Sequence, residues 1–301
     1  MARERAPEEP IEVRSDELEA TFIPDLGMLG CSLRHRGTEL LALPGGLEAY
    51  RDGHATGFPL LAPWANRLGA RRYEVDGVAV DLDGVDLHAD EHGLPIHGTM
   101  TARPGWELLE HTEHIVIARY DVGAQPDLLA SFPFPHRLVM EVRVDGRTLI
   151  HTTTLEATGE RAVPVAFGYH PYFRLPGLHR ADVALRLPAR QHLALDGRGI
   201  PTGAEQPEEA EDDPVGSRTF DDLYHLGADH LLALTGGGRR LVADFGPRYP
   251  FAQVFAPAGA DYVCLEPMTA PTNALVAGGC PMVRPGEAFT AGFILRVEEV
   301  R

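Results

Sequence analysis

The sequence predicts an all-β protein, a sandwich of large antiparallel sheets with few short helices. Short runs of alternating apolar residues recur along the chain, and clusters of Gly, Pro and Asp separate them. No long stretch carries the 3.6-residue period of an amphipathic helix. With 32 Gly and 25 Pro in 301 residues, much of the chain must be turn. Alternation without intervening helices favours antiparallel sheets over any βαβ arrangement.

In chain order, the first alternating run is Tyr73 to Leu82, and the next is Ile115 to Val122. Leu138, Met140, Val142 and Val144 then alternate up to Asp145-Gly146, and Leu149, His151, Thr153 and Leu155 continue beyond it, which is a hairpin signal. Val163 to Tyr169 and Ala288 to Val297 read as further strands. Asp196 to Arg218 is rich in Gly, Pro and Glu without an apolar period, and is expected to be a long surface loop. No repeat and no composition shift divides the chain, so a single domain over 1–301 is expected.

Composition narrows the function. A formal charge of −17 opposes a phosphate backbone or an anionic membrane, since both recruit basic faces, so neither nucleic acid nor membrane is an expected partner. Every basic residue among the 27 is Arg, which excludes a Schiff-base lysine. Three cysteines, Cys31, Cys264 and Cys280, give neither a disulfide framework nor a C-x-x-C metal spacing. Met1 to Pro10 is charged and lacks an apolar core, and no apolar run approaches a membrane span, so a cytoplasmic location is expected.

Several segments place chemistry at strand ends. In VPVAFGYHPYF, residues 163–173, alternation sets Val163, Val165, Phe167 and Tyr169 on one face and Pro164, Ala166, Gly168 and His170 on the other. Pro171 biases His170 towards an extended backbone. By itself His170 reads more readily as a satisfied core histidine or a sheet-edge residue than as a functional one. In Tyr262 to Glu266 the carboxylate ends an apolar strand, and Pro267 is expected to stop the ladder; Glu266 either caps a turn, pairs with an arginine or takes part in catalysis. The run His88, Asp90, Glu91, His92 and His97 raises a metal reading, because His88 and His92 have the i, i+4 spacing of a helical zinc pair. Gly93 and Pro95 argue against a helix, and no metal site is expected. No phosphate-binding glycine loop and no G-x-S-x-G elbow is present.

Taken in order, these segments resemble the aldose 1-epimerase (galactose mutarotase-like) family: GHATGFPLLAPWAN over Gly53 to Asn66 with Arg67, then Ile96-His97-Gly98, His170-Pro171-Tyr172-Phe173, Pro201-Thr202-Gly203, Asp221-Asp222-Leu223-Tyr224, and Glu266-Pro267 ahead of Ala270-Pro271-Thr272-Asn273-Ala274. The resemblance covers roughly residues 20 to 297. It implies a β-supersandwich with a sugar groove on one concave face, no metal or organic cofactor, and a monomer or homodimer. It also implies that His170 is general acid to the ring oxygen, Glu266 general base to the anomeric hydroxyl, and His97 a second histidine near the ring oxygen. Asn66, Arg67 and Asp221 would hold sugar hydroxyls, Asp221 being chosen over Asp222 by its spacing to Tyr224. Trp64, beside Arg67, is expected to lie against the sugar's C–H face.

The chemistry so implied is interconversion of α and β anomers of a free aldohexose. A base takes the proton of O1 while an acid protonates O5, and the same pair reverses its roles on closure. A carboxylate and an imidazole, with ordinary pKa values of about 4.3 and 6.5, suit the two tasks and predict a bell-shaped pH profile. The imidazole and the carboxylate are expected to meet across an open cleft. Rival readings are a hexose-6-phosphate mutarotase, for which Arg71 and Arg72 would supply a basic pocket, a non-catalytic sugar-binding or sensor protein, and a glycoside hydrolase, which needs a second flanking carboxylate.

Overall fold

The computed structural model describes residues 9–300; most of the charged N-terminal stretch and the last residue lie outside it. The strands form two large sheets and several small ones, and every pair of named strands is antiparallel. Helices among the described residues are short, the longest being six residues, as in Gly46–Arg51 and Pro126–Ser131. Among the described residues no helix is long and apolar enough to cross a membrane.

The larger sheet has nine strands, with Ala288–Glu299, Thr148–Ala157 and His136–Asp145 adjacent near its middle. Their alternation is the reason they form: in Thr148–Ala157 every second side chain is buried, and the partners follow the same rule. The expected hairpin is present, with Leu138 opposite Leu155, Val144 opposite Leu149, and a turn through Gly146 at φ 52°. The other large sheet has eight strands, and Asp221, Gln253 and Glu266 stand on it. In it Phe220–Leu226 pairs with Phe251–Ala256, which pairs with Val263–Met268. Beside Val263–Met268 run two short strands, Gly168–Tyr169 and Tyr172–Phe173.

One hydrophobic cluster joins the two sheets. Tyr169 of the smaller sheet packs edge-on against Phe293 of the larger at 5.4 Å, and its hydroxyl bonds Thr153 across the layer at 2.6 Å. Each fully buried Leu, Val or Phe in this layer contributes about 1.5–3 kcal/mol of transfer free energy, so the layer fixes the separation of the sheets.

Several expectations need correction: Val163 to Tyr169 is two short strands, Val163–Pro164 and Gly168–Tyr169, in different sheets, and Tyr73 to Leu82 is spanned by a hairpin of Arg72–Val75 with Val78–Asp81. Residues 196–218 are not one loop: Pro201–Glu208 is an edge strand of the eight-stranded sheet, and Glu211–Pro214 is an edge strand of the nine-stranded one. Both are almost wholly exposed, so neither face needs apolar residues and no period is written into them; their acids and prolines suit sheet edges that must not pair further. Pro267 does not stop its ladder either, since Pro267 pairs with Ala252 and Met268 with Phe251. It lies at the break between the two short flanking strands, where no continuous neighbour requires an N–H.

Candidate active site

His170 sits in that break. Its N–H donates to the Pro59 carbonyl, and the strands on either side of it pair with Met268 and Cys264, which brackets Glu266. The close approach depends on Gly168, where a Cβ would lie 2.6 Å from the Pro267 carbonyl oxygen and 3.0 Å from the Ala65 Cβ. Gly168→Ala is therefore expected to force these strands apart and cost about 1–3 kcal/mol, read as a lower urea midpoint at unchanged m-value.

As a result His170 Nε2 and Glu266 Oε1 are 3.4 Å apart, although 96 positions separate them in the chain. They are neighbours, His170 in the break between two short strands and Glu266 on the strand beside it, and not opposite walls of a cleft as the sequence suggests. Both line one cavity of about 550 Å³. Glu266 is 1% exposed and His170 6%. Burial pushes the Glu266 carboxyl well above its ordinary value, with the Asp221 charge adding to it and Arg67 opposing it. Burial pushes His170 down to about 3, weakly opposed by its own backbone. Both shifts favour neutral forms, whereas the sequence reading assumed ordinary values.

His97 completes the buried end of the cavity. It has a left-handed backbone, φ 64°, its N–H bonds the Asn66 carbonyl at 3.0 Å, and its ring meets His170 edge-on at 5.4 Å. Gly98 permits this path, because a Cβ there would lie 2.1 Å from the Ala62 carbonyl oxygen. Burial, then the neighbouring His170, Arg67 and His88, hold His97 well below its ordinary pKa, which makes it a neutral donor or acceptor at pH 7.

Arg67 is clamped on several sides. Its Nε donates to Asp90 Oδ2 at 2.7 Å, its Nη1 donates to Asn66 Oδ1 at 3.3 Å, and Nη1 lies 3.9 Å from Asp221. Asp90 is held in turn by the N–H groups of His92 and Leu94, both at 2.9 Å, and its side chain is 2% exposed. The run first weighed as a metal loop thus supplies the anchor of the arginine. Arg67→Ala strands Asp90 without its cation and is expected to cost roughly 3 kcal/mol, with Asp90→Asn on top of it returning part of the loss in urea unfolding.

Asp221 faces the cavity and accepts from Gln253 Nε2 at 2.6 Å. Asp222, on the other side of the strand, is engaged by His192 Nε2 at 3.2 Å, outside the cavity. Gln253, paired in register with Glu266, escaped the sequence reading; the available signal was a lone amide inside the apolar strand FAQVFA. Trp64 is not at the site. It is 1% exposed within the hydrophobic core, and the aromatic walls of the cavity are Tyr172, Phe255 and Tyr262. Arg71 and Arg72 are also elsewhere, Arg71 paired with Asp83 and Arg72 with Asp81 and Asp83.

The arrangement brings together a carboxyl, an imidazole, a second neutral histidine and the amide, guanidinium and carboxylate groups of Asn66, Arg67, Asp221 and Gln253 in one cavity. The family model for aldose 1-epimerase matches residues 16–296. No curated protein matches the sequence. Among solved structures, the chain is similar to a galactose mutarotase-like protein from Clostridium acetobutylicum, at TM-score 0.85 and 17% identity over 96% of this chain and 95% of that one. It is also similar to galactose 1-epimerase from Lactobacillus acidophilus, at TM-score 0.78 and 15% identity over 100% and 98% of the two chains. A protein from Synechocystis covers both chains fully at TM-score 0.79 and 21% identity. At such identities the structural likeness establishes the fold.

Proposed function

Because the chain belongs to the aldose 1-epimerase family, we propose that it interconverts the α and β anomers of a free aldohexose in this cavity. The observation that carries the reading is the 3.4 Å approach of His170 Nε2 to Glu266 Oε1 on the cavity wall. O1 and O5 are bonded to the same carbon, so the groups that serve them must be neighbours.

Glu266 takes the proton of O1 while His170 delivers one to O5; the C1–O5 bond breaks, C1 becomes the aldehyde carbon, and rotation about C1–C2 precedes closure on the other face. The pair needs one proton between its members. In the empty cavity burial leaves that proton on the carboxyl. A bound sugar donates O1–H to the carboxylate and accepts at O5 from the imidazolium, and these charge-assisted bonds favour the ionised arrangement. Asn66, Arg67, His97, Asp221 and Gln253 hold the hydroxyls, and Tyr262 or Phe255 takes the ring's C–H face.

Charge favours an unphosphorylated sugar over a hexose phosphate. Arg67 is the single arginine on the cavity wall among the described residues and Asp90 already engages it, while Glu91, Asp221 and Glu266 stand around it. Two phosphate charges would enter this surround without a free cation. Polarimetry of freshly dissolved α-glucose, α-galactose and glucose 6-phosphate tests the reading. Acceleration of the free sugars at least tenfold over the phosphate, in kcat/KM, is expected; preference for the phosphate, or no acceleration of any sugar, would refute it.

A further inference from the structure

His170 lacks the usual means of aiming a catalytic imidazole. Such rings are ordinarily fixed by a hydrogen bond on the nitrogen that does no chemistry. Here Nε2 faces Glu266, while Nδ1 is buried without a hydrogen-bond partner among the described residues. A ring that rotates by even some tens of degrees would carry Nε2 off the line to O5, so something else holds it.

The neighbours that remain are rings. Tyr172 lies face to face with His170, centroids 4.5 Å apart and planes 6° from parallel. His97 and Phe255 meet its edges at 5.4 and 5.9 Å, inclined by 78° and 75°. Residues two apart on an extended chain project to one side, which is how Pro171 between them allows the stack. Tyr172 is itself immobilised: its N–H donates to the Gly57 carbonyl and its carbonyl accepts from Ala42 N–H, both at 2.8 Å. Its far side meets Tyr262 at 5.0 Å. Burial raises the Tyr172 phenol above its ordinary value, so the ring stays uncharged at pH 7.

We propose that Tyr172 is the positioning residue of His170, its ring face replacing a hydrogen-bonded orienter and favouring the protonated imidazole. The proposal rests on the function assigned above. A neutral aromatic face attracts a cation placed over it. The other groups facing the imidazole are Glu266 from Val263–Met268, which attracts its charge; His97, which is neutral; and Phe255 from Phe251–Ala256, which is uncharged. Beyond them, Arg67 and Asp221 act on the pair through Glu266 with opposite signs. Tyr172 is thus the group that constrains the plane of the ring without competing for its proton.

The test compares Tyr172→Leu, Tyr172→Met and Tyr172→Phe. The leucine and methionine variants are expected to lose about 10–100-fold in kcat with KM within about twofold, since aim and proton affinity fail while the hydroxyl contacts persist. The alkaline limb of their kcat profile, which reports the sugar complex with the proton on the imidazole, should move to lower pH by about half a unit, because the imidazolium loses its stacked face. Tyr172→Phe, which keeps the ring, should restore most of the lost kcat. A folded leucine or methionine variant with wild-type kcat and limb would overturn the proposal, as would a phenylalanine variant as impaired as leucine. Should neither aliphatic variant fold, ¹⁵N spectra of the wild-type histidine rings decide: Nδ1 of His170 free of a hydrogen bond supports the stack as orienter, and a strongly hydrogen-bonded Nδ1 refutes it. A wild type that accelerates no sugar would sink the function while leaving this spectrum to judge the clamp.

Discussion

Glu266→Gln is expected to lower kcat/KM for α-to-β conversion by about 10²–10⁴. The amide keeps the size of the side chain but cannot take the proton of O1, and with the base gone the acid has no concerted partner. KM should change little, because Asn66, Arg67, Asp221 and Gln253, which line the cavity, are the groups proposed to hold the hydroxyls and remain in place. The fold should survive, since Glu266 is buried with no arginine at hydrogen-bond distance among the described residues and glutamine removes the need to bury a charge there. A glutamine variant that retains the rate would remove Glu266 from the chemistry.

His170→Asn is expected to cost a similar factor for the complementary reason: O5 must then leave as an alkoxide or wait for water. The two losses should not add, because the residues act on one proton, and the double variant should be little slower than either single one. The pH profile separates the roles. In the wild type, activity falls on acidification when the pair takes up a second proton and the base is lost. Burial of His170, which holds it at about 3, moves that limb below the ordinary histidine region. Activity falls on alkalinisation when the pair loses its single proton, and burial of Glu266 together with the Asp221 charge moves that limb above the ordinary carboxylate region. In kcat/KM, which reports the protein before sugar binds, the acidic limb is therefore set by His170 and the alkaline limb by Glu266, the reverse of the order unperturbed groups would give. In either single variant one of the two titrating partners is gone, and one limb should go with it.

How much of this was legible in the sequence follows from what side-chain alternation encodes. Where one strand face is buried, as in Leu138 to Leu155, the period is written plainly and both strands and register were readable. Where neither face is buried, as in Pro201–Glu208, nothing in the pattern announces a strand. The site shows the same division. His170 and Glu266 stood out as polar residues ending apolar strands, but their proximity comes from pairing between remote segments, and only the family resemblance suggested it. Asp90 and Gln253 act through partners 23 and 32 positions away, and sequence spacing carries no trace of that. Trp64 failed because adjacency to Arg67 does not mean a shared direction. Asn66, between them, takes φ 57° and turns the chain, sending the indole into the core and the guanidinium to the cavity.

The central claim is that this cavity moves protons on the two oxygens of C1, with Glu266 and His170 as the groups that move them. Two-dimensional exchange NMR of an equilibrated aldohexose in D₂O tests it directly. The account predicts cross-peaks between the α and β H1 signals that grow with wild-type protein and vanish with Glu266→Gln and His170→Asn, and no deuterium at C1 or C2. Exchange no faster than buffer, exchange undiminished in both variants, or label entering carbon would contradict it.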